Sequence, residues 1–502
     1  MTIRLHLPDA AATARLGADL AAALRAGDLV ALSGDVGAGK TTLARAALRA
    51  LHGDPALDVP SPTFTLVVDY PDARIPAVHV DLYRLGDPSE ADELALDESL
   101  DHGVAIVEWP ERGALTGPEI RIALTESEDG ETREAAIDAP AEAEARIARS
   151  LAIREFLTNT GRADAVRSPL AGDASTRAYE AVSAGGKTLL LMDSPAMPDG
   201  KPIRGTLPYS RIAHLAEDVR PFVAVAKGLR ANGFHAPAIL ASDLDAGLLL
   251  TEHLGDGSIL KPDGTPDRDR YLAVAETLAA LHDCRWADAL PVAPGEPPHA
   301  IPRFDRDAMM IEVELTLDWA FPRLVGRPAD EGERADFHAA WHAALDAMAG
   351  AEISLVLRDI QAPNIVWQEG REGLDRVGLI DFQDALIGPA AYDVASLAQD
   401  ARVTITPDLE DDLKGRYLDA RGARDPRFER AYAVMAAQRA TKVFGLWVRL
   451  DERDGKPHYL AHAPRTRDYL SRVLPHPALS GVRAWYEKHE LLPRSEALAV
   501  AA

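Results

Sequence analysis

Apolar residues along this chain fall into two spacings, and their order predicts two successive αβ regions. From Ala10 to Arg25 they recur with helical period, and the run stops at Ala26-Gly-Asp28. Leu29-Val-Ala-Leu-Ser33 is short and apolar throughout, the pattern of a buried strand. Val78-His-Val-Asp-Leu-Tyr-Arg84 and Val104-Ala-Ile-Val-Glu-Trp-Pro110 repeat it, each strand ending on an acid. Glu119 to Leu124 and Thr132 to Asp138 alternate around an Asp129-Gly130 turn and close the first region. In the second, Leu151 to Asn159 predicts a helix, Leu170 to Val182 a hairpin loop and strand, and Lys187-Thr-Leu-Leu-Leu-Met-Asp193 another strand. Ala238 to Asp243 and Gly247 to Gly255 predict a sheet edge and hinge, and Tyr271 to Cys284 a long amphipathic scaffold helix. Leu355 to Trp367 and Gly378 to Asp384 are short apolar strands carrying polar groups on turns; the region ends in helices that include Ala436 to Trp447.

A chain of 502 residues exceeds one core. The segment Pro140-Ala-Glu-Ala-Glu-Ala-Arg146 offers a boundary without the Gly and Ser of a flexible linker. This gives domains of residues 1–150 and 151–502, closely joined. A net charge of −25 argues against strong direct nucleic-acid binding, which needs Lys and Arg on phosphates. The single cysteine, Cys284, excludes an intrachain disulfide and predicts a buried core thiol. No signal peptide is evident and no apolar run approaches membrane-spanning length, so a cytoplasmic protein is expected.

Two stretches carry chemistry. Gly34-Asp-Val-Gly-Ala-Gly-Lys-Thr-Thr42 lies between an apolar strand and an alanine-rich helix, the setting a phosphate-binding loop requires. Its glycines turn backbone N–H groups toward phosphates, and the helix N-terminus adds positive potential. Gly34, Asp35, Val36, Gly37, Ala38, Gly39, Lys40, Thr41 and Thr42 are therefore candidate ATP-binding residues, with Lys40 on the β- and γ-phosphates and Thr41 on Mg²⁺. Later, Arg358-Asp359 precedes Asn364 on one turn and Asp381 ends the next strand. Phosphoryl transfer needs a carboxylate to orient and deprotonate the attacking hydroxyl, and oxygen ligands for Mg²⁺. Asp359, Asn364 and Asp381 supply that set, in the pattern of a kinase core.

The first region, with Pro60-Ser-Pro-Thr-Phe-Thr65 and the two acid-ended strands, resembles the TsaE family. TsaE proteins are the ATPase component of the bacterial machinery that makes threonylcarbamoyladenosine in tRNA. The resemblance implies a P-loop α/β fold, Mg²⁺ on Thr41 and Glu108, and Asp81 as a Walker-B-like acid. It puts Thr63 in a switch-like loop, Trp109 beside the site and TsaB- and TsaD-like subunits as partners; His79 is expected to be structural. The acidic run Asp87 to Asp101 reads as a solvated helix face before a docking surface.

The second region resembles the aminoglycoside-phosphotransferase-like kinases, which implies a two-lobed α+β protein-kinase-like fold. Within them, Arg358-Asp359, Leu379-Ile-Asp-Phe-Gln-Asp384, Gly388-Pro-Ala-Ala-Tyr-Asp393 and Gln438-Arg439 look like the AmgK kinases of cell-wall recycling. Those phosphorylate the anomeric hydroxyl of N-acetylmuramic acid and N-acetylglucosamine. Carried over, Asp359 is the base and Asn364 and Asp381 hold Mg²⁺; Arg358, Asp384, Asp393 and Gln438 are candidates for sugar contact or support. Asp393 is expected to brace the catalytic loop rather than cap a helix. Glu252, with Leu254, offers backbone groups to adenine, and Gly172 to Arg177 takes the place of the phosphate-covering loop. One departure stands out. The strand expected to carry the phosphate-pairing lysine has Met192 near that place, Lys187 only begins it, and Arg177 is a substitute cation. Two alternatives remain: a kinase for an aminoglycoside, choline or another small alcohol, or a catalytically silent module that regulates the ATPase.

Overall fold

The computed structural model describes residues 2–492 apart from 95, 114, 116, 118, 128–131, 171–176, 198–199 and 423–424. The Asp129-Gly130 turn and most of the Gly172 to Arg177 loop lie outside the described residues. The chain divides into two compact units: Met1–Ser194 with Leu248–Leu250, and Pro195–Gly247 with Thr251–Ala502.

The first unit is organised around β2 (Leu29–Ser33). It follows β1 (Ile3–Leu7) and α1 (Ala10–Ala23) and precedes α2 (Lys40–His52), β3 (Val67–Tyr70), β4 (Ala77–Asp81), α3 (Leu96–Leu100) and β5 (Val104–Glu108). Strands β6 (Glu119–Glu126) and β7 (Arg133–Asp138) complete a seven-stranded sheet of order β1-β7-β6-β2-β5-β4-β3. β2 runs parallel to both neighbours, β5 and β6. Alternate β2 residues feed two cores. Val30 and Leu32 join the helices α1 and α2, while Leu29 and Ala31 join Leu85, Ala91 and Leu96 on the opposite face. Burial on both faces is why the strand is apolar without alternation. The acidic run forms short, largely exposed helical turns.

Helix α4 (Ala141–Asn159) runs straight through the region where the sequence suggested a boundary. Its Ala- and Glu-rich start favours helix, and Ala143 and Ile147 sink into the core with Leu16 and Leu20 of α1. Strands β8 (Val166–Pro169), β9 (Ala178–Ala184) and β10 (Lys187–Asp193) follow as an antiparallel meander in the same unit.

The second unit is mainly helical. Strand Ile353–Val356 pairs with Leu386–Pro389, and Ile365–Trp367 pairs with Val377–Leu379. The turn between the first strands of these pairs carries Asp359 to Asn364. The helix Pro426–Glu452 lies behind them, and a Cβ on its Gly445 would sit 2.2 Å from the Leu315 carbonyl carbon. That close approach brings the helix Arg306–Leu315 against it, and with it Glu312. Cys284 caps the helix Arg268–Asp283 and is only partly buried, correcting the expected core thiol: it falls one residue past the last buried turn.

Two candidate active sites

In the first unit the chain leaves β2 at Ser33, loops through residues 34–39 and enters α2 at Lys40. Gly34 (φ 133°) touches the sheet so closely that a Cβ would lie 2.2 Å from the Leu124 carbonyl oxygen. Gly39 (φ 104°) starts the helix from a left-handed conformation. The loop edges a cleft of about 350 Å³ lined by Lys40, Thr41, Thr63, Asp81, Glu108 and Trp109, among others. One concave wall thus gathers the P-loop and the three acid- or hydroxyl-bearing segments expected around it.

The polar groups there are linked. The Thr41 hydroxyl donates to Glu108 Oε2 at 2.8 Å, and His79 Nε2 lies 2.9 Å from Glu108 Oε1. His79 is fully buried, so it orients Glu108. Thr63 donates to Asp81 Oδ2 at 2.8 Å, and the Tyr83 N–H donates to Asp81 Oδ1 at 3.0 Å. Lys40 Nζ donates to the Gly34 and Asp35 carbonyls at 2.6 and 2.9 Å and lies 3.6 Å from the Trp109 ring centroid. Burial pulls its pKa below the usual lysine range, against Glu108, Glu111, Asp81 and Asp35. Trp109 holds φ 60°, a strained left-handed conformation that places its ring over the ammonium.

In the second unit, Asp359 lies on the turn between two strands. Its Oδ2 accepts from Gln361 Nε2 at 3.0 Å, and its Oδ1 lies 3.4 Å from Arg439 Nη2. The side chain is 42% exposed. Burial raises its pKa, against Arg439, Lys442 and Arg402, with Asp400 adding to the rise. Asn364 Nδ2 donates to the Asp359 carbonyl at 2.9 Å and to Asp381 Oδ2 at 3.3 Å. The candidate base and the two candidate Mg²⁺ ligands are therefore contiguous.

Asp393 is fully buried inside the helix Ala391–Ala398, and its carboxylate accepts from the Leu357 and Arg358 N–H groups at 2.7 and 2.9 Å. These bonds hold Arg358 at φ 73°, just before Asp359. Arg358 pairs with Glu312, which also takes Lys442 Nζ at 2.6 Å and Gln438 Nε2 at 2.9 Å. Burial alone would raise the Glu312 carboxyl, but Lys442 and Arg358 hold it down to about 2. Arg358 and Gln438 are thus buried supports rather than sugar contacts. Asp384 accepts from the Ala216 N–H at 2.7 Å. The Glu252 N–H is spent on the Ala238 carbonyl at 2.9 Å, and the Leu254 carbonyl accepts from Gln368 at 2.6 Å. Those two bonds use the Glu252 N–H and the Leu254 carbonyl and leave the adenine expectation to the Glu252 carbonyl and the Leu254 N–H.

Met192 is buried in β10 opposite Tyr179, and Lys187 lies at the exposed far end of that strand. Arg177 has interactions of its own. Sequence reasoning missed Glu312, Lys442 and the direct contact of Arg439 with Asp359. The available signal was Glu312 within the otherwise apolar Ala308-Met-Met-Ile-Glu-Val313, since a lone acid on a buried face demands cations.

Both sites offer hard oxygen donors suited to Mg²⁺: a hydroxyl beside a carboxylate in the first, a carboxamide beside a carboxylate in the second. Among the described residues no group of three or more His, Cys, Asp or Glu could hold a metal unaided. No helix among the described residues is long and apolar enough to cross a membrane.

Fold and sites define an α/β P-loop nucleoside-triphosphatase unit followed by a protein-kinase-like phosphotransferase. The profile described as threonylcarbamoyl adenosine biosynthesis protein TsaE matches residues 7–135, and that described as phosphotransferase enzyme family matches residues 166–432. Over 354 residues the chain is 35% identical to the N-acetylmuramate/N-acetylglucosamine kinase of Caulobacter vibrioides, covering 68% of this chain and 96% of that protein. Over 115 residues it is 41% identical to the tRNA threonylcarbamoyladenosine biosynthesis protein TsaE of a Nostoc species, covering 22% of this chain and 68% of the relative. Among solved structures, an ethanolamine kinase from Plasmodium vivax aligns at 12% identity with a TM-score of 0.46, covering 69% of this chain and 92% of that one. The chain belongs to the TsaE family in its N-terminal part and to the phosphotransferase enzyme family in its larger C-terminal part. Both families use ATP.

Proposed function

We propose that this is a bifunctional enzyme. Residues 1–150 form the ATPase that supports tRNA threonylcarbamoyladenosine modification, and residues 151–502 form a kinase for the anomeric hydroxyl of N-acetylmuramic acid and N-acetylglucosamine. The kinase reading is carried by the identity to the Caulobacter protein over 96% of that protein's length, with Asp359, Asn364 and Asp381 contiguous in the fold. Asp359 takes the proton of the attacking hydroxyl. Gln361 and Arg439 hold its two oxygens, and Asp393 fixes the turn that presents it. In the first site Lys40 leaves its own loop carbonyls and the Trp109 ring to meet phosphate, while Asp81 and Thr63 face the same cleft. Asn364 with Asp381, and Thr41 with Glu108, are the residues that would hold Mg²⁺, which neutralises phosphate charge during transfer.

The ATPase part would work with TsaB- and TsaD-like subunits, consistent with an acidic chain that leaves tRNA to its partners. The setting we infer for both reactions is the cytoplasm. The test is phosphorylation of a panel of N-acetylmuramic acid, N-acetylglucosamine, glucose and kanamycin. The expected product is an alkali-stable, acid-labile anomeric phosphate on the N-acetyl sugars alone. Turnover with kanamycin alone would move the assignment to antibiotic modification. No turnover with any of them, despite ATP binding, would make the second part a silent module, with Met192 in place of lysine as its first explanation.

A further inference from the structure

Asp19 belongs to the part matched to TsaE, yet its partners belong elsewhere. It lies on α1 between Leu16 and Leu20 and is 2% exposed. Arg154 of α4 reaches it through Nε and Nη2, each at 2.8 Å. Arg167 of β8 adds an Nη1 bond at 2.8 Å, and its other edge grips Glu180 of β9 through two bonds of 2.7 and 2.8 Å. The Ser150 hydroxyl donates to the Asp19 carbonyl at 2.6 Å, and Arg154 Nη1 donates to the carbonyls of Ala163 and Ala165 at 2.8 and 2.9 Å. Arg167 and Glu180 fall inside the phosphotransferase match, which begins at residue 166, and Asp19 inside the TsaE match, which ends at 135. Around this junction, Ala143 and Ile147 of α4 share the apolar core of α1.

Two charged side chains withdrawn from water lose several kcal/mol of hydration each, and only near-ideal pairing offsets that loss. Here the carboxylate meets two guanidinium groups, and the nitrogens of each are tied to further acceptors in turn. A flexible tether does not need such a junction. The same helix also presses on the P-loop helix: a Cβ at Gly17, two residues from Asp19, would lie 2.4 Å from the Leu43 carbonyl oxygen.

We propose that α1 is a docking face inside this chain, and that the first strands of the phosphotransferase match are fastened to the ATPase part through Asp19 rather than merely following it in sequence. The junction then holds without the covalent link at Pro140. The test uses the full chain with a protease recognition sequence inserted between Pro140 and Ala141, both exposed, cleaved after folding and run on a sizing column. The two pieces of the otherwise unchanged protein are expected to co-elute at the mass of the intact chain. Asp19→Ala should weaken their association about 100-fold or more, because one partner of a buried ion pair is removed. Asp19→Asn, which keeps a hydrogen-bonding oxygen, should weaken it less, and it carries the comparison if Asp19→Ala fails to fold. Separation of the wild-type pieces on cleavage would overturn the proposal. So would Asp19→Ala or Asp19→Asn pieces that stay together as tightly as wild type.

Discussion

The two nucleotide-using sites reach similar chemistry by different construction. The P-loop site is built mainly from one continuous segment, whose glycines and backbone N–H groups do the shaping, with Asp81 and Glu108 added from adjacent strand ends. The kinase site places few groups near the reacting atoms and supports them from afar. Asp393 comes from one helix, Glu312 from another, and Gln438, Arg439 and Lys442 from a third. Both hold a non-glycine residue in a left-handed conformation beside the chemistry, Trp109 in the first and Arg358 and Asp381 in the second. A motif-built site is legible and locally fragile. A network-built site hides its supports and fails when distant residues change.

The sharpest way to break this comparison is to remove each site's chemistry in turn. Asp359→Asn should cut sugar phosphorylation by about 10²–10⁴-fold, the usual worth of a positioned base, and leave the P-loop ATPase at its wild-type rate. Lys40→Ala should do the opposite. Loss of both activities in either folded variant would mean that the sites are not separate.

Next in size is Asp393→Ala, whose carboxylate is bonded to the backbone just before Asp359. It orphans two buried N–H groups beside the base, so stability should fall by about 2–5 kcal/mol in urea unfolding, with a lower kcat and a nearly unchanged KM for sugar. An unchanged kcat would show that the brace serves folding alone.

Glu312 sharpens the contrast through pH. Its carboxyl lies at about 2 in the folded chain, below the range of an unfolded glutamate. The folded state therefore binds the proton less readily, and its stabilising contribution is complete above about pH 4.5 and is lost as pH falls toward 2. Between pH 5 and 3 the wild type should lose stability more steeply than Glu312→Gln, which lacks that titration. Parallel slopes in urea titrations would remove Glu312 from the account. The smallest effect is expected from Thr63→Val, which deletes one bond to Asp81 while the Tyr83 N–H remains. ATPase activity should drop about tenfold, in keeping with about 1.5 kcal/mol for a bond to a charged group, and sugar phosphorylation should not move.

What the sequence made legible follows the same division. The P-loop could be read from its strand, glycine loop and helix, while Asp81 and Glu108 showed in the apolar pattern only as strand-end acids, and their roles, with that of Trp109, came from the resemblance to TsaE. Asp359, Asn364 and Asp381 were singled out by their spacing on two strand-and-turn segments, and the fold brings them together. Helix α4 was half seen: Leu151 to Asn159 read as helix, but the Ala-Glu repeat before it read as a junction, because the core that buries Ala143 and Ile147 is made by α1 from far away in the chain. Strand β1, as long as β2 but with Arg4 and His6 alternating among its apolar residues, was not read and gains its place by pairing with β7 at the sheet edge. Glu312 and Lys442 escaped notice because their meaning lies in partners on another helix. The bonds that Ala238 and Gln368 make to the Glu252 N–H and the Leu254 carbonyl went unread for a related reason, since both partners lie outside the local pattern.

The most direct test of the central claim is ATP consumption by two purified full-length variants, Lys40→Ala and Asp359→Asn, each with and without N-acetylmuramic acid. The account predicts that Lys40→Ala consumes ATP only when the sugar is present, and that Asp359→Asn consumes ATP at the same rate with or without it. Sugar-dependent turnover that survives Asp359→Asn, or that disappears in Lys40→Ala, would contradict two sites with separate chemistry.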